Sequence, residues 1–310
     1  MNNKFLNWLL FILLCLIWGS SFILMKWGLY DSEGKEVLTP YQVAALRMLT
    51  AGLIMLPFLY QTIKKIGTER LGYILLSGWL GSFFPAFLFC IAETRIGGAL
   101  AGSLNSLTPL FVVISGALFF GISTSWQKIL GVIVGLAGTS LLIYANADKT
   151  PASLSYTLFV VAATLLYGTN VNMVHGKLKG VSSVQIAAVA FTGLIPPALV
   201  VLFLTGYFEL PLSQPVYTLS TIASSILGVA GTALASIIFY VLVKRAGGLF
   251  ASLVTYGIPF VAIGWGIYYG ENIMPLQVLA LLIILLGVYL ANRTLKQLPK
   301  EETVEPPVVD

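Results

Sequence analysis

The side chains that ordinarily make and break bonds are scarce in this sequence and poorly placed to act together. There is one histidine, His175, and the two cysteines, Cys15 and Cys90, both fall inside apolar runs. All three aspartates, Asp31, Asp148 and Asp310, lie outside those runs, so no aspartyl dyad can form within one. One histidine without a carboxylate cluster cannot supply the three or four ligands of a metal centre. No serine stands in a nucleophile-elbow setting, and no glycine-rich phosphate loop with a lysine is present. No cofactor is therefore expected, and ATP is not expected to act through this chain. What remains is the chemistry of recognition. Arg47 carries a fixed charge; Ser21, Asn105, Thr108, Asn170 and Thr255 carry hydroxyls and amides; Trp18, Trp79, Tyr167, Tyr240, Tyr256 and Trp265 carry aromatic faces. Pro109 and Pro259 add to this set. A proline lacks an N–H and clashes with the carbonyl four residues back, so Pro109 frees the carbonyl of Asn105 and Pro259 that of Thr255.

These groups have to be positioned in lipid. The chain has 310 residues, of which 58% are hydrophobic and 9% charged, and its mean hydropathy is +0.93. Soluble domains carry roughly a quarter charged residues, so a chain this poor in charge has the bilayer as its solvent. A net charge of +5, concentrated in loops, speaks for membrane orientation and against nucleic-acid binding. A helix needs about 20 mostly apolar residues to cross the hydrocarbon core. Apolar runs predict an all-α polytopic membrane protein with spans at 6–29, 39–60, 71–92, 96–120, 128–145, 154–175, 183–206, 217–243, 248–270 and 275–293. The first run continues past Ser21 and is read as a retained helix, not a cleaved leader. The polar tail 294–310 is expected to be disordered.

Ten spans place both ends of the chain on one side. That side receives Lys4, Lys64, Lys65, Arg70, Lys128, Lys177, Lys179, Lys244, Arg245, Arg293, Lys296 and Lys300; the other receives only Lys35, Arg95 and Lys149. The positive-inside rule then puts both termini in the cytoplasm of a multi-pass inner (plasma) membrane protein. Asp31, Glu33, Glu36, Asp148, Glu209 and Glu271 fall outside.

The sequence also repeats itself. Residues 89–109 align without gaps to 239–259, matching Phe89, Arg95, Gly97, Gly98, Ala101 and Pro109 to Phe239, Arg245, Gly247, Gly248, Ala251 and Pro259. At nearly the same offset, Trp18-Gly19-Ser20 faces Tyr167-Gly168-Thr169 and Gly138 faces Gly287. Two five-helix units, 1–146 and 147–293, contain an odd number of helices each, so they run in opposite orientations. Inverted repeats of this kind are the plan of secondary transporters. Taken together, Trp18–Phe22 (WGSSF), Arg47 early in the second helix, and the Gly97-Gly98…Pro109 and Gly247-Gly248…Pro259 helices resemble the EamA-type members of the drug/metabolite transporter superfamily. The resemblance covers roughly residues 5–293. It implies an alternating-access carrier with a central cavity lined mainly by helices 1, 3, 4, 6, 8 and 9, moving a small metabolite, with export the commoner theme.

On this reading Trp18, Ser21, Arg47, Trp79, Asn105, Thr108, Tyr167, Asn170, Tyr240, Thr255, Tyr256 and Trp265 are candidates for the cavity wall, the alternative being helix packing. Lys26, Glu93, His175, Pro109 and Pro259 are candidates for gating or coupling. Lys26 and His175 occupy matching places late in spans one and six, which the inverted repeat puts toward the outside and the inside, where long cations also snorkel to the interface. Arg47 lies about 10 Å along its helix at 1.5 Å per residue and needs an internal partner, for which Glu93 at the outer margin is available. No Asp or Glu falls in the middle third of any span, so facilitated diffusion or exchange is expected, with Glu93 or His175 as the proton sites left. Dianionic phosphates would need several converging cations and metal ions would need carboxylates or sulfur. An amino acid or related amphipathic compound fits best; an organic amine or a nucleotide-related solute, imported or exchanged, is the alternative, with an intramembrane enzyme or a channel further behind. Trp8, Trp27, Tyr60, Trp126, Tyr207 and Tyr217 sit near span ends and suit the interfacial belt. Gly131, Gly135 and Gly138 form a small-residue face that could serve a homodimer or packing within the monomer.

Overall fold

Lipid offers no hydrogen bonds, so a crossing backbone has to satisfy itself, and helices do this locally. The computed structural model describes residues 3–64, 66–145, 151–246 and 254–292, and every predicted apolar run carries helix. In chain order these are α1 (Asn3–Gly19 continued by Ser21–Leu29), α2 (Pro40–Ile63), α3 (Thr68–Gly78, Trp79–Phe83 and Phe84–Ala92), α4 (Gly98–Asn105 and Thr108–Phe120) and α5 (Trp126–Tyr144). The second half continues with α6 (Pro151–Lys177), α7 (Ser183–Gly193 and Ile195–Leu204), α8 (Pro215–Ile226, Leu227–Leu234 and Ala235–Ala246), α9 (Val254–Tyr268) and α10 (Pro275–Asn292). Among the described residues, a single antiparallel bridge between Tyr30 and Glu36 is the only β-type pairing. Seven of these helical stretches are long and apolar enough to cross a membrane, the bent pair of α4 makes an eighth, and α9 and α10 are shorter apolar helices. The protein is therefore an all-helical, polytopic membrane protein. Large apolar side chains such as Leu118, Phe203 and Leu204 stand largely exposed on its flanks, as lipid-facing residues do.

Local chemistry explains where the helices start and stop. Both α2 and α7 open with reciprocal capping boxes. Thr39 N–H donates to Gln42 Oε1 at 2.9 Å and Gln42 N–H to Thr39 Oγ1 at 3.3 Å; Ser182 and Gln185 do the same at 2.9 and 3.2 Å. Each box satisfies two otherwise orphaned N–H groups. The first part of α4 ends at Asn105 and the second starts at Thr108, with a bend of 42°. Pro109 lies at the start of that second part, where its missing N–H costs nothing. The helix around Pro259 behaves differently: α9 runs on through it.

Two helices contain wide π-type turns, at Trp79–Phe83 in α3 and Leu227–Leu234 in α8. Pro85 removes a hydrogen-bond donor just past the first of them, while the second is rich in small residues, Gly228, Ala230, Gly231 and Ala233. Such turns expose carbonyls to other partners and recur at functional sites.

In lipid, helices associate through close van der Waals fit, which small residues permit. On α5, Gly131 and Gly138 face α10 of the same chain, while Gly135 faces Leu110 of α4. A Cβ at Gly287 would overlap the backbone nitrogen of Gly135 and stand 2.7 Å from the Gly131 carbonyl oxygen. Similar close approaches recur at matched positions of the two halves. Gly228 packs on the Arg47 carbonyl and Gly78 on the Ala190 carbonyl; Gly231 packs on Ser21 and Gly81 on Asn170; Gly19 packs on Val261 and Gly168 on Phe111. Tyr207 departs from its expected interfacial place: it is 5% exposed, with its hydroxyl 3.0 Å from Thr221 Oγ1.

Candidate functional site

Arg47 lies about two turns into α2, partly buried. Its Nε donates to Thr232 Oγ1 at 2.8 Å, and the Thr232 hydroxyl donates in turn to the Leu227 carbonyl at 3.4 Å. Thr232 belongs to the wide turn of α8, so that turn is what brings a hydroxyl to the guanidinium. Trp18 docks on the same segment: its Nε1 donates to the Gly231 carbonyl at 3.1 Å, and its ring lies 5.4 Å from Phe239. Ser21, 5% exposed, faces Gly231 and returns its own hydroxyl to the Ile17 carbonyl at 3.1 Å. Trp18, Ser21 and Arg47 are thus brought together on one side of α8.

A second group gathers around the wide turn of α3. Trp79 opens that turn and packs 4.5 Å from the ring of Phe83. Asn170 faces Gly81, and its buried Oδ1 has no hydrogen-bond partner. Tyr167 stacks on Phe89 at 6.2 Å, and Phe89 in turn lies 5.9 Å from Phe22 of α1. The Arg47 charge acts on Tyr167 and on Cys90, which places the guanidinium within electrostatic reach of both groups.

The remaining wall candidates are more dispersed. The freed carbonyl of Asn105 accepts from the Thr108 hydroxyl at 2.9 Å, so in this conformation the kink is closed by its own threonine. Trp265 Nε1 donates to Ser20 Oγ at 2.8 Å, tying α9 to the break in α1. Thr255 and Tyr256 are partly buried at the start of α9, and Pro259 is buried in its middle. The Tyr240 side chain, Gly247, Gly248 and Ala251 lie outside the described residues. His175 is exposed near the end of α6.

One residue that the sequence does not single out does much of the cross-bracing between α4 and α6. Asn172 is 7% exposed, and its Nδ2 donates to the Val112 carbonyl at 2.8 Å and to Ser115 Oγ at 2.9 Å. Interhelical hydrogen bonds in membranes are worth about 0.6 kcal/mol on average and up to about 1.7. Asn172→Leu is expected to fall at the upper end, about 1–2 kcal/mol, because it also strands Ser115. The check is the thermal midpoint in detergent beside wild type; an unchanged midpoint would remove this role.

A wide cavity lies elsewhere. A vestibule of about 1350 Å³ is bounded by the end of α1, the α1–α2 loop, the α3–α4 connection, the start of α8 and the residues after α9. Of the candidate residues only Lys26 and Glu93 line it, joined by Arg95 and Glu271; Leu219, Ile222 and Ile226 form an apolar flank. Glu271 is the key addition. Its carboxylate accepts from Gly98 N–H at 3.0 Å and Ala99 N–H at 3.2 Å, capping the N-terminus of α4, and lies 3.9 Å from Lys26 Nζ. A negative charge belongs at a helix N-terminus. The hint in the sequence is a helix opening on Gly97-Gly98, which has no side chain to cap itself. Lys26 therefore has an electrostatic neighbour where snorkelling alone was the alternative. Arg47 uses Thr232 as its partner; the ion pairs among the described residues are Lys26–Glu271 and Lys35–Glu33.

Comparison with known proteins places this geometry. The sequence profile of the EamA-like transporter family matches residues 6–144 and again residues 154–293. The uncharacterized inner membrane transporter YedA of Escherichia coli (strain K12) is 23% identical over 312 residues, covering 96% of this chain and 94% of that protein. The probable amino-acid metabolite efflux pump of the same organism is 23% identical over 188 residues, 60% of this chain and 59% of the pump. A solved crystal structure superposes with a TM-score of 0.59 at 18% identity, covering 92% of this chain and 95% of that one, a likeness of fold.

Proposed function

Because the chain belongs to the EamA-like transporter family, we propose that it is an alternating-access secondary carrier of ten transmembrane helices in two inverted halves, exporting an amino acid or a related amphipathic compound. The observation that carries the reading is the matched packing of the halves. The close approaches at Gly228 and Gly78, at Gly231 and Gly81, and at Gly19 and Gly168 pair residues about 150 apart, and both second helices open with the same capping box. An odd number of helices per half turns such a repeat upside down, and carriers place their solute between the halves. Arg47, with Trp18, Tyr167 and the two wide turns around it, offers one cation beside aromatic faces. That suits a carboxylate attached to an apolar body and is too little positive charge for a dianion.

The test is a thermal-shift screen of the purified protein against amino acids, organic amines and sugar phosphates, since a ligand of the native state raises its apparent stability. Counterflow of the stabilising compound in proteoliposomes then separates a carrier from a channel or an enzyme. Stabilisation by sugar phosphates alone would remove the substrate class.

The proposed orientation has its own test. With both termini cytoplasmic, a cysteine introduced at Glu209 reacts with an impermeant reagent added to whole cells, and one introduced at Lys65 does not. The opposite labelling pattern would invert the topology.

A further inference from the structure

One acidic side chain of the vestibule is buried without a cation on it. Glu93 follows Ala92, the last residue of α3, and is 8% exposed. Its Oε1 is buried with no hydrogen-bond partner, although the residue lines the vestibule wall. The charges near it are engaged elsewhere or stand on the vestibule rim. Lys26 of α1 turns its Nζ to Glu271, which is itself held by the N-terminus of α4. Arg47 of α2 is engaged by Thr232 of α8. The Tyr30 hydroxyl donates to the Thr94 carbonyl, and Asp31 and Arg95 stand on the rim of the same vestibule.

A carboxylate taken out of water without a partner is costly, and the cheapest remedy is a proton. Burial, reinforced by the negative charge of Glu271 and opposed by Lys26 and Arg47, holds the Glu93 carboxyl well above the usual carboxylate range.

We propose that Glu93 is a proton-binding site loaded from the vestibule, and that its protonation is exchanged against outward movement of the solute. The inference rests on the carrier reading above and replaces simple facilitated diffusion with antiport. The chemical step is minimal: the carboxylate takes a proton from vestibule water on loading, and once the site faces the other side the O–H bond breaks, the proton passes to water there, and a carboxylate remains. That carboxylate competes with Glu271 for Lys26. Loss of the proton therefore loosens the tie that joins α1, the loop before α10 and the N-terminus of α4, while gain of the proton restores it. The protonation state of one side chain thereby bears on how firmly the outer ends of α1 and α4 are held.

Two measurements test this on the full chain, wild type and Glu93→Gln, with Glu93→Asp as the conservative variant. The first needs no solute: the thermal midpoint is followed from about pH 5 to about pH 9. Because the folded-state affinity of Glu93 for a proton is raised, its contribution to stability is fully present at low pH and is lost as pH rises through its titration. Wild type and Glu93→Asp should show that loss and Glu93→Gln should not; superimposable wild-type and Glu93→Gln profiles overturn the proton site. The second uses proteoliposomes loaded with the twenty amino acids and an entrapped pH dye. An outside-acid step of about one unit can drive up to roughly a tenfold solute gradient at one proton per solute. Wild type should acidify the lumen as amino acids leave, and Glu93→Gln should do neither. Equal amino-acid efflux from both without proton entry, or efflux that follows sodium in place of protons, overturns the coupling. Absence of amino-acid movement in both, together with a pH profile that still differs, leaves the proton site standing and removes the amino-acid reading.

Discussion

Gly287→Leu is expected to abolish recovery of folded protein, whereas Gly264→Leu is not. At Gly287 an added side chain meets backbone: it overlaps Gly135 and lies 2.7 Å from the Gly131 carbonyl oxygen. Over-packing against side chains, which can turn aside, costs about 1–3 kcal/mol. Here the obstacle is the opposing helix itself, so α5 and α10 have to separate along the seam, and the cost is expected at about 3 kcal/mol or more. That is a large fraction of what holds a typical domain together. At Gly264 nothing lies within 4 Å of the same added atom, and replacing a mid-helix glycine favours the helix. Size-exclusion profiles of the two variants in detergent decide it. A monodisperse Gly287→Leu protein with a wild-type midpoint would show that the seam does not hold α5 and α10 together.

The second large effect is expected at Arg47. Under the proposed function its guanidinium meets the solute carboxylate while Nε stays on Thr232. Hydrogen bonds to charged groups are worth about 1.5–3 kcal/mol, which corresponds to roughly 10- to 100-fold in transport at low solute. Arg47→Met should therefore lose counterflow by that factor and still elute as folded protein. Arg47→Lys retains the charge but not the planar fork, and should transport at an intermediate level with the apparent KM raised more than the maximal rate is lowered. Wild-type counterflow by Arg47→Met would exclude it from the binding site.

Much of this architecture is legible in the order of residues alone, because lipid imposes a rule that sequence displays: a crossing segment is apolar for its whole length. Each of the ten apolar runs carries helix, and the Gly97-Gly98 and Pro109 landmarks fall at a helix start and a helix bend. What the runs do not show is how a helix departs from regularity. The wide turns at Trp79–Phe83 and Leu227–Leu234 depend on neighbouring helices accepting the displaced carbonyls, as Trp18 does at Gly231. Partners distant in sequence are also hidden. Thr232 lies 185 residues from Arg47, and Glu271 reaches Lys26 and Gly98 from the far end of the second half. Lys26 alone reads as a snorkelling cation, and only its neighbour turns it into part of a vestibule. Tyr207 reads as interfacial because it sits beside a span end, yet it is buried against α8 through Thr221.

The two proline helices are not in the same shape, and for a protein of matched halves that asymmetry is informative. Just before Pro109 the helix is broken, bent by 42°, and its loose carbonyl is held by Thr108; among the described residues, Val254–Tyr268 runs as helix through Pro259. Under the proposed two-half carrier plan, the opposite-facing form would have α4 straighten as Thr108 releases Asn105 and α9 bend between Thr255 and Ile258. On that plan the solute path would close at one face of the membrane by the local movement that opens it at the other.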